Sequence, residues 1–127
     1  AGPWPKDGSK MTPPVMMKGR GGKQLLLNLE CFLPDRRKKI YKVLVDTGAE
    51  ENLVRQGLIP SHLLRTPSQK LNFVTANGEP MEGGDQTVSL TLKFRKYEND
   101  RLVKKGHNLK GIFYEAQIKV DLILSYL

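Results

Sequence analysis

The sequence predicts an all-β domain, a small barrel or sandwich of short strands with room for at most one or two short helical turns. Three observations point there. Apolar residues recur at every second position in separate stretches, turn-forming residues interrupt the chain at short intervals, and no sustained helical period precedes residue 46.

The first alternating stretch sets Leu25, Leu27, Leu29, Cys31 and Leu33 against Leu26, Asn28, Glu30 and Phe32. Pro34-Asp35 opens a turn whose tip is Arg36-Arg37-Lys38-Lys39, and a β-branched and aromatic run from Ile40 to Val45 returns, so the pair predicts a hairpin. Residues 58–64 have room for one short helical turn, with Pro60 near its start. A strand is expected over 70–76, then Asn77-Gly78 as a hairpin turn and a returning strand through Met81. Gly83-Gly84 marks a bulge or bend. Residues 87–94 alternate again, residues 95–110 read as a charged loop, and residues 111–120 and 122–127 supply two more apolar runs. Ahead of all this, residues 1–24 hold four Pro and five Gly, a mix that sustains neither helix nor central strand. They are expected to form a basic arm or linker, with the domain spanning 25–127.

A chain of 127 residues supports one core. With 39% hydrophobic and 27% charged residues, it belongs with globular rather than disordered sequences. No apolar run approaches the roughly 20 residues that span a bilayer, and no signal-peptide pattern opens the chain, so no membrane partner is expected. The single cysteine, Cys31, excludes an intrachain disulfide framework and fits a reducing, intracellular setting. The net charge of +8 suggests an acidic partner, yet residues 1–24, 35–42 and 95–110 each carry +4 while the remainder carries −4. Nucleic acid is therefore expected to meet only the tail and the basic loops.

Most candidate chemistries are missing. His62 and His107 have no Cys or His partner at ligand spacing, so no metal is expected, nor is any other cofactor. Cys31 lies on an alternating apolar face, a packing position rather than that of a nucleophile. No serine has a nucleophile-elbow context, and Gly19-Arg20-Gly21-Gly22-Lys23 lacks phosphate-loop spacing.

Val43-Leu44-Val45-Asp46-Thr47-Gly48-Ala49 is different. An apolar strand ends in a carboxylate that is costly to desolvate unless something uses or pairs it. Gly48 permits a tight turn, and Ala49 leaves space for a bound chain. An Asp-Thr-Gly turn alone is common; its surroundings carry the argument. Val-Leu-Val-Asp-Thr-Gly-Ala-Glu resembles the active-site signature of the retropepsins, the aspartic proteases of retroviruses and long-terminal-repeat retrotransposons. The resemblance continues through Asn52-Leu53-Val54, through Val74-Thr75-Ala76-Asn77-Gly78-Glu79 as a flap hairpin, and through residues 120–127 as the closing apolar element.

The resemblance implies a small closed barrel and an endopeptidase that cleaves an extended polypeptide, its own polyprotein, in the cytoplasm or inside a virus-like particle. Two carboxylates must flank one water, one as base and one as acid, and so close a pair shares a proton. One Asp-Thr-Gly per chain then requires a second copy, a homodimer with the site on its two-fold axis. Asp46 becomes the acid/base, Thr47 bonds across the axis, and Gly48 offers its carbonyl to substrate backbone. Ala49, Glu50, Thr75, Ala76, Asn77 and Gly78 become substrate-binding residues; for Glu50 and Glu51 a pair of solvated loop acids is the alternative. Two departures bear on this. Ser125 stands where the family has Gly, so its side chain either crowds the contact behind the catalytic loop or is absorbed by a small shift. The family also continues past the position of Leu127 into a helix and strand used in dimerisation, so without them the interface is expected to be incomplete. A non-catalytic domain of this fold and a basic nucleic-acid-binding module are the rival readings.

Overall fold

Backbone pairing starts at the first alternating stretch. The computed structural model describes residues 24–74, 78–98 and 101–125. Strand β1 (Gln24–Phe32) pairs antiparallel with β2 (Lys38–Asp46), in a register that runs from Gln24↔Asp46 to Phe32↔Lys38. The turn between them is closed from Arg36 N to Leu33 O (2.9 Å) and from Leu33 N to Arg37 O (2.9 Å). Arg36 sits there at φ 71°, while the Asp35 carboxylate accepts the Arg37 backbone N–H (3.0 Å) and Nε (2.7 Å). The returning strand expected from Ile40 is there, and β2 also takes in Lys38 and Lys39, expected at the turn tip. Its lysines are exposed while Tyr41 and Val43 are buried, so one strand accommodates both.

The expected helical turn at 58–64 is one 3-10 turn, Ser61–Leu63, with Pro60 at its N-cap. It follows β3 (Leu53–Arg55). Strands β4 (Phe73–Val74) and β5 (Pro80–Met81) form a separate two-stranded hairpin. Thr75, Ala76 and Asn77, the expected flap tip, lie outside the described residues, and Gly78 is exposed at φ 83°.

Strand β6 (Gly83–Glu98) pairs with β7 (Arg101–Ala116) along nearly its whole length. Gly83 and Gly84 open β6 at φ 144° and 81°, where the register shifts before Thr87, so the expected bend is there. The charged loop expected over 95–110 is instead the outer part of this ribbon, paired out to Glu98↔Arg101. Charge obscured it, because cross-strand backbone pairing rather than an apolar period defines this stretch.

Strand β8 (Leu122–Ser125) completes a closed barrel in the order β1-β2-β8-β3-β7-β6. It runs parallel to β2 from Val43↔Leu122 to Asp46↔Ser125, and antiparallel to β3 on its other edge. Pairing of Glu30 with Lys93 through Phe32 with Thr91 closes the ring. Alternation divides the apolar side chains between two cores. Val43, Val54, Phe113, Leu122 and Leu124 join the cluster containing Cys31, Leu90 and Leu92. Leu44, Leu53 and Ile123 point the other way, into a second cluster with Ala49, Phe73, Met81 and Ile118. Both faces of β2, β3 and β8 are thus covered, which is why these strands read as continuous apolar runs. The second cluster also fastens the β4–β5 hairpin to the body. No helix among the described residues is long and apolar enough to cross a membrane.

Candidate active site

Asp46 is the last residue of β2, with β1 on one side and β8 on the other, at the register positions of Gln24 and Ser125. Its exposure is 0%. Oδ1 accepts the backbone N–H of Gly48 at 2.9 Å, and Oδ2 accepts Nε2 of Gln24 at 3.2 Å. The Ala49 N–H donates to the Asp46 carbonyl at 3.1 Å and closes the turn. Among the described residues, the ion pairs involve Asp35, Glu30, Asp121 and Asp85, and none involves Asp46. Among the described residues its buried carboxylate thus meets uncharged donors and no cation, an arrangement that stability alone does not favour.

The following loop is held from outside. Thr47 and Glu50 are exposed, Gly48 and Glu51 are half-buried, and Ala49 is buried in the second core. Ser125 Oγ donates to the Ala49 carbonyl at 2.7 Å. The added hydroxyl, expected either to crowd this contact or to be absorbed by a small shift, makes a hydrogen bond there. Asn52 Oδ1 accepts the Ser125 N–H at 2.8 Å, its Nδ2 donates to Ile112 O at 3.3 Å, and its carbonyl accepts the Tyr114 N–H at 3.0 Å. In the sequence Asn52 stands out only as the first residue of the Asn52-Leu53-Val54 resemblance, and nothing in the pattern marks it as a junction.

At its other end β8 is held by Asp121. Its Oδ1 accepts Arg55 Nη2 (2.9 Å), its Oδ2 accepts the Lys42 N–H (2.8 Å), and its carbonyl accepts the Arg55 N–H (2.8 Å). This knot spans β2, β3 and the entry to β8, and so sets the register that carries Ser125 to Asp46.

A cavity of about 420 Å³ lies along the β4–β5 hairpin, lined by residues that include Phe73, Val74, Pro80 and Met81. Its lining includes none of residues 46–50, so this cavity does not join the hairpin to the Asp46 loop.

Comparison with family models, curated proteins and solved structures yields no match. The remaining candidates are assessed on their own geometry. Burial pushes the Cys31 thiol up to about 12, which leaves it protonated and inert at neutral pH. His62 and His107 are both exposed, and the His107 ring stacks on Phe94 at 5.4 Å. Among the described residues, no group of three or more His, Cys, Asp or Glu side chains is arranged to hold a metal ion.

Proposed function

We propose that this chain is one subunit of a homodimeric aspartic endopeptidase of retropepsin type, with Asp46 from each copy forming the catalytic pair. The observation that carries the reading is the Asp46 carboxylate itself, buried at the end of an apolar strand and held by two uncharged donors. The all-β closed barrel and the β4–β5 hairpin are compatible with it. The ionised carboxylate of the pair takes a proton from water as that water attacks the scissile carbonyl, and the protonated one donates to the carbonyl oxygen. Collapse of the tetrahedral intermediate then breaks the C–N bond, and the amine leaves with a proton. The substrate is an extended polypeptide, the parent polyprotein, bound by added-strand pairing under the hairpin whose tip includes Thr75, Ala76, Asn77 and Gly78. Thr47, Gly48, Ala49 and Glu50 support the pair and the substrate backbone. The setting is intracellular, cytoplasmic or within a virus-like particle.

One observation favours a second reading, a non-catalytic domain of the same fold that dimerises or binds peptide: the cavity along the β4–β5 hairpin has none of residues 46–50 in its lining. Cleavage of an unfolded protein separates the two. The protease reading expects pepstatin-sensitive cleavage that depends on chain concentration, and that Asp46→Asn abolishes while the variant still unfolds cooperatively, its midpoint lowered by only a few degrees. Undiminished cleavage by Asp46→Asn would remove that reading.

A further inference from the structure

We propose that Asn52 and Ser125 act together as positioning residues, a clamp that fixes the loop carrying Asp46. The inference rests on the protease reading for its catalytic consequence and on geometry alone for the clamp.

The loop leaves β2 after Asp46 and rejoins the barrel at Leu53. Within it, Gly48 N donates to Asp46 Oδ1 and Ala49 N to Asp46 O, both to the residue it must orient. β7 and β8 add a fixed frame through Ser125 and Asn52. Ser125 occupies the register position beside Asp46, and its hydroxyl reaches the Ala49 carbonyl at 2.7 Å. Ala49 is 1% exposed, so bulk water cannot readily replace that hydroxyl, and losing it strands a buried carbonyl.

Asn52 meets a second need. Pairing between β3 and β8 ends at Leu53↔Ile123, so the Ser125 N–H lies beyond that ladder. The Asn52 side chain supplies its acceptor while donating to the Ile112 carbonyl. Both partners are backbone groups of fixed polarity, so the position requires one acceptor and one donor, which is the chemistry of an amide. A carboxylate of the same length would set an oxygen against the Ile112 carbonyl. Gly111 leaves the space: a Cβ there would lie 3.1 Å from Asn52 Nδ2.

The clamp therefore opposes the crowding alternative for Ser125. A serine that merely crowds the family's glycine position would improve on replacement by Gly. A serine that holds the loop would not.

The test uses the full chain with Ser125→Gly, Ser125→Ala and Asn52→Asp, read by hydrogen exchange at the Gly48 and Ala49 amides and by steady-state cleavage of a peptide substrate. All three are expected to speed exchange at these amides about tenfold while core β6 amides stay protected. They are also expected to lower kcat about tenfold with KM within about twofold of the parent, because the loss falls on orientation rather than on substrate contacts. Unchanged exchange in both Ser125 variants would overturn the clamp, as would a Ser125→Gly protein more active than the parent. If the parent cleaves nothing, the protease reading fails, while the exchange measurement still decides the clamp.

Discussion

Gln24 donates to the buried Asp46 carboxylate, and the strength of that bond can be measured. The perturbation is Gln24→Ala. A hydrogen bond to a charged group contributes about 1.5–3 kcal/mol net. At 3.2 Å this one is longer than the roughly 2.7–2.9 Å of a well-made charge-assisted bond, which places it at the low end of that range. The expected loss is therefore about 1.5 kcal/mol, to be read from urea unfolding at neutral pH as a lower midpoint with an unchanged slope. The same change made in an Asp46→Asn background meets a neutral side chain, where such bonds are about half as strong. It should then cost about 0.7 kcal/mol, which leaves a coupling of about 0.8 kcal/mol in the double-mutant cycle. A coupling indistinguishable from zero, or a Gln24→Ala protein as stable as the parent, would refute the contact as a determinant of the site.

Two further outcomes follow from backbone strain and from thiol burial. Gly84→Ala drives a Cβ into the Leu71 carbonyl oxygen at a residue with φ 81°, so about 2–4 kcal/mol of stability should be lost in chemical denaturation; a loss under about 0.5 kcal/mol would show that the segment at Leu71 gives way freely. Cys31 ionises near 9.0 when unfolded and near 12 when folded, chiefly because burial excludes water from the thiolate. Below the lower value the thiol is neutral in both states; above it only the unfolded chain releases the proton, so stability falls as pH rises from 9 toward 12. Cys31→Ala should flatten part of that fall in unfolding curves collected across this window, and the native thiol should resist alkylation at pH 8. Rapid labelling of folded protein would contradict the burial.

The sequence was legible where burial has a period. Leu29, Cys31, Val88, Leu90 and Leu92 announce strands with one face in the barrel, and the Asn-Gly and Gly-Gly pairs mark chain reversals. Asp46 was legible as well, because a carboxylate that ends a wholly apolar strand is chemically out of place. The outer β6–β7 ribbon was not: its charges carry no apolar alternation, and only cross-strand pairing defines it. Gln24 is the last residue of the expected arm, yet it opens β1, and its amide matters only through a partner 22 positions away. Asn52 and Ser125 are less visible still. Each is an ordinary polar residue until a fold sets the two side by side.

That dependence on distant chain segments has a consequence for how the site forms. The bonds that fix the Asp46 loop cross 76 residues at Ala49–Ser125 and 73 at Asn52–Ser125, and the knot that seats β8 crosses 79 at Lys42–Asp121. The β1–β2 hairpin needs only local closure and already contains Asp46, Gln24 and their register. β8 contributes the final shared neighbour, so the loop becomes rigid only after the long-range ring closes, when the entropy of closure has been met. A carboxylate held by Gln24 and Gly48 alone lacks the Ala49 and Asn52 contacts that Ser125 brings to its loop. The chemistry proposed for Asp46 is therefore a property of the closed barrel rather than of the Asp-Thr-Gly segment.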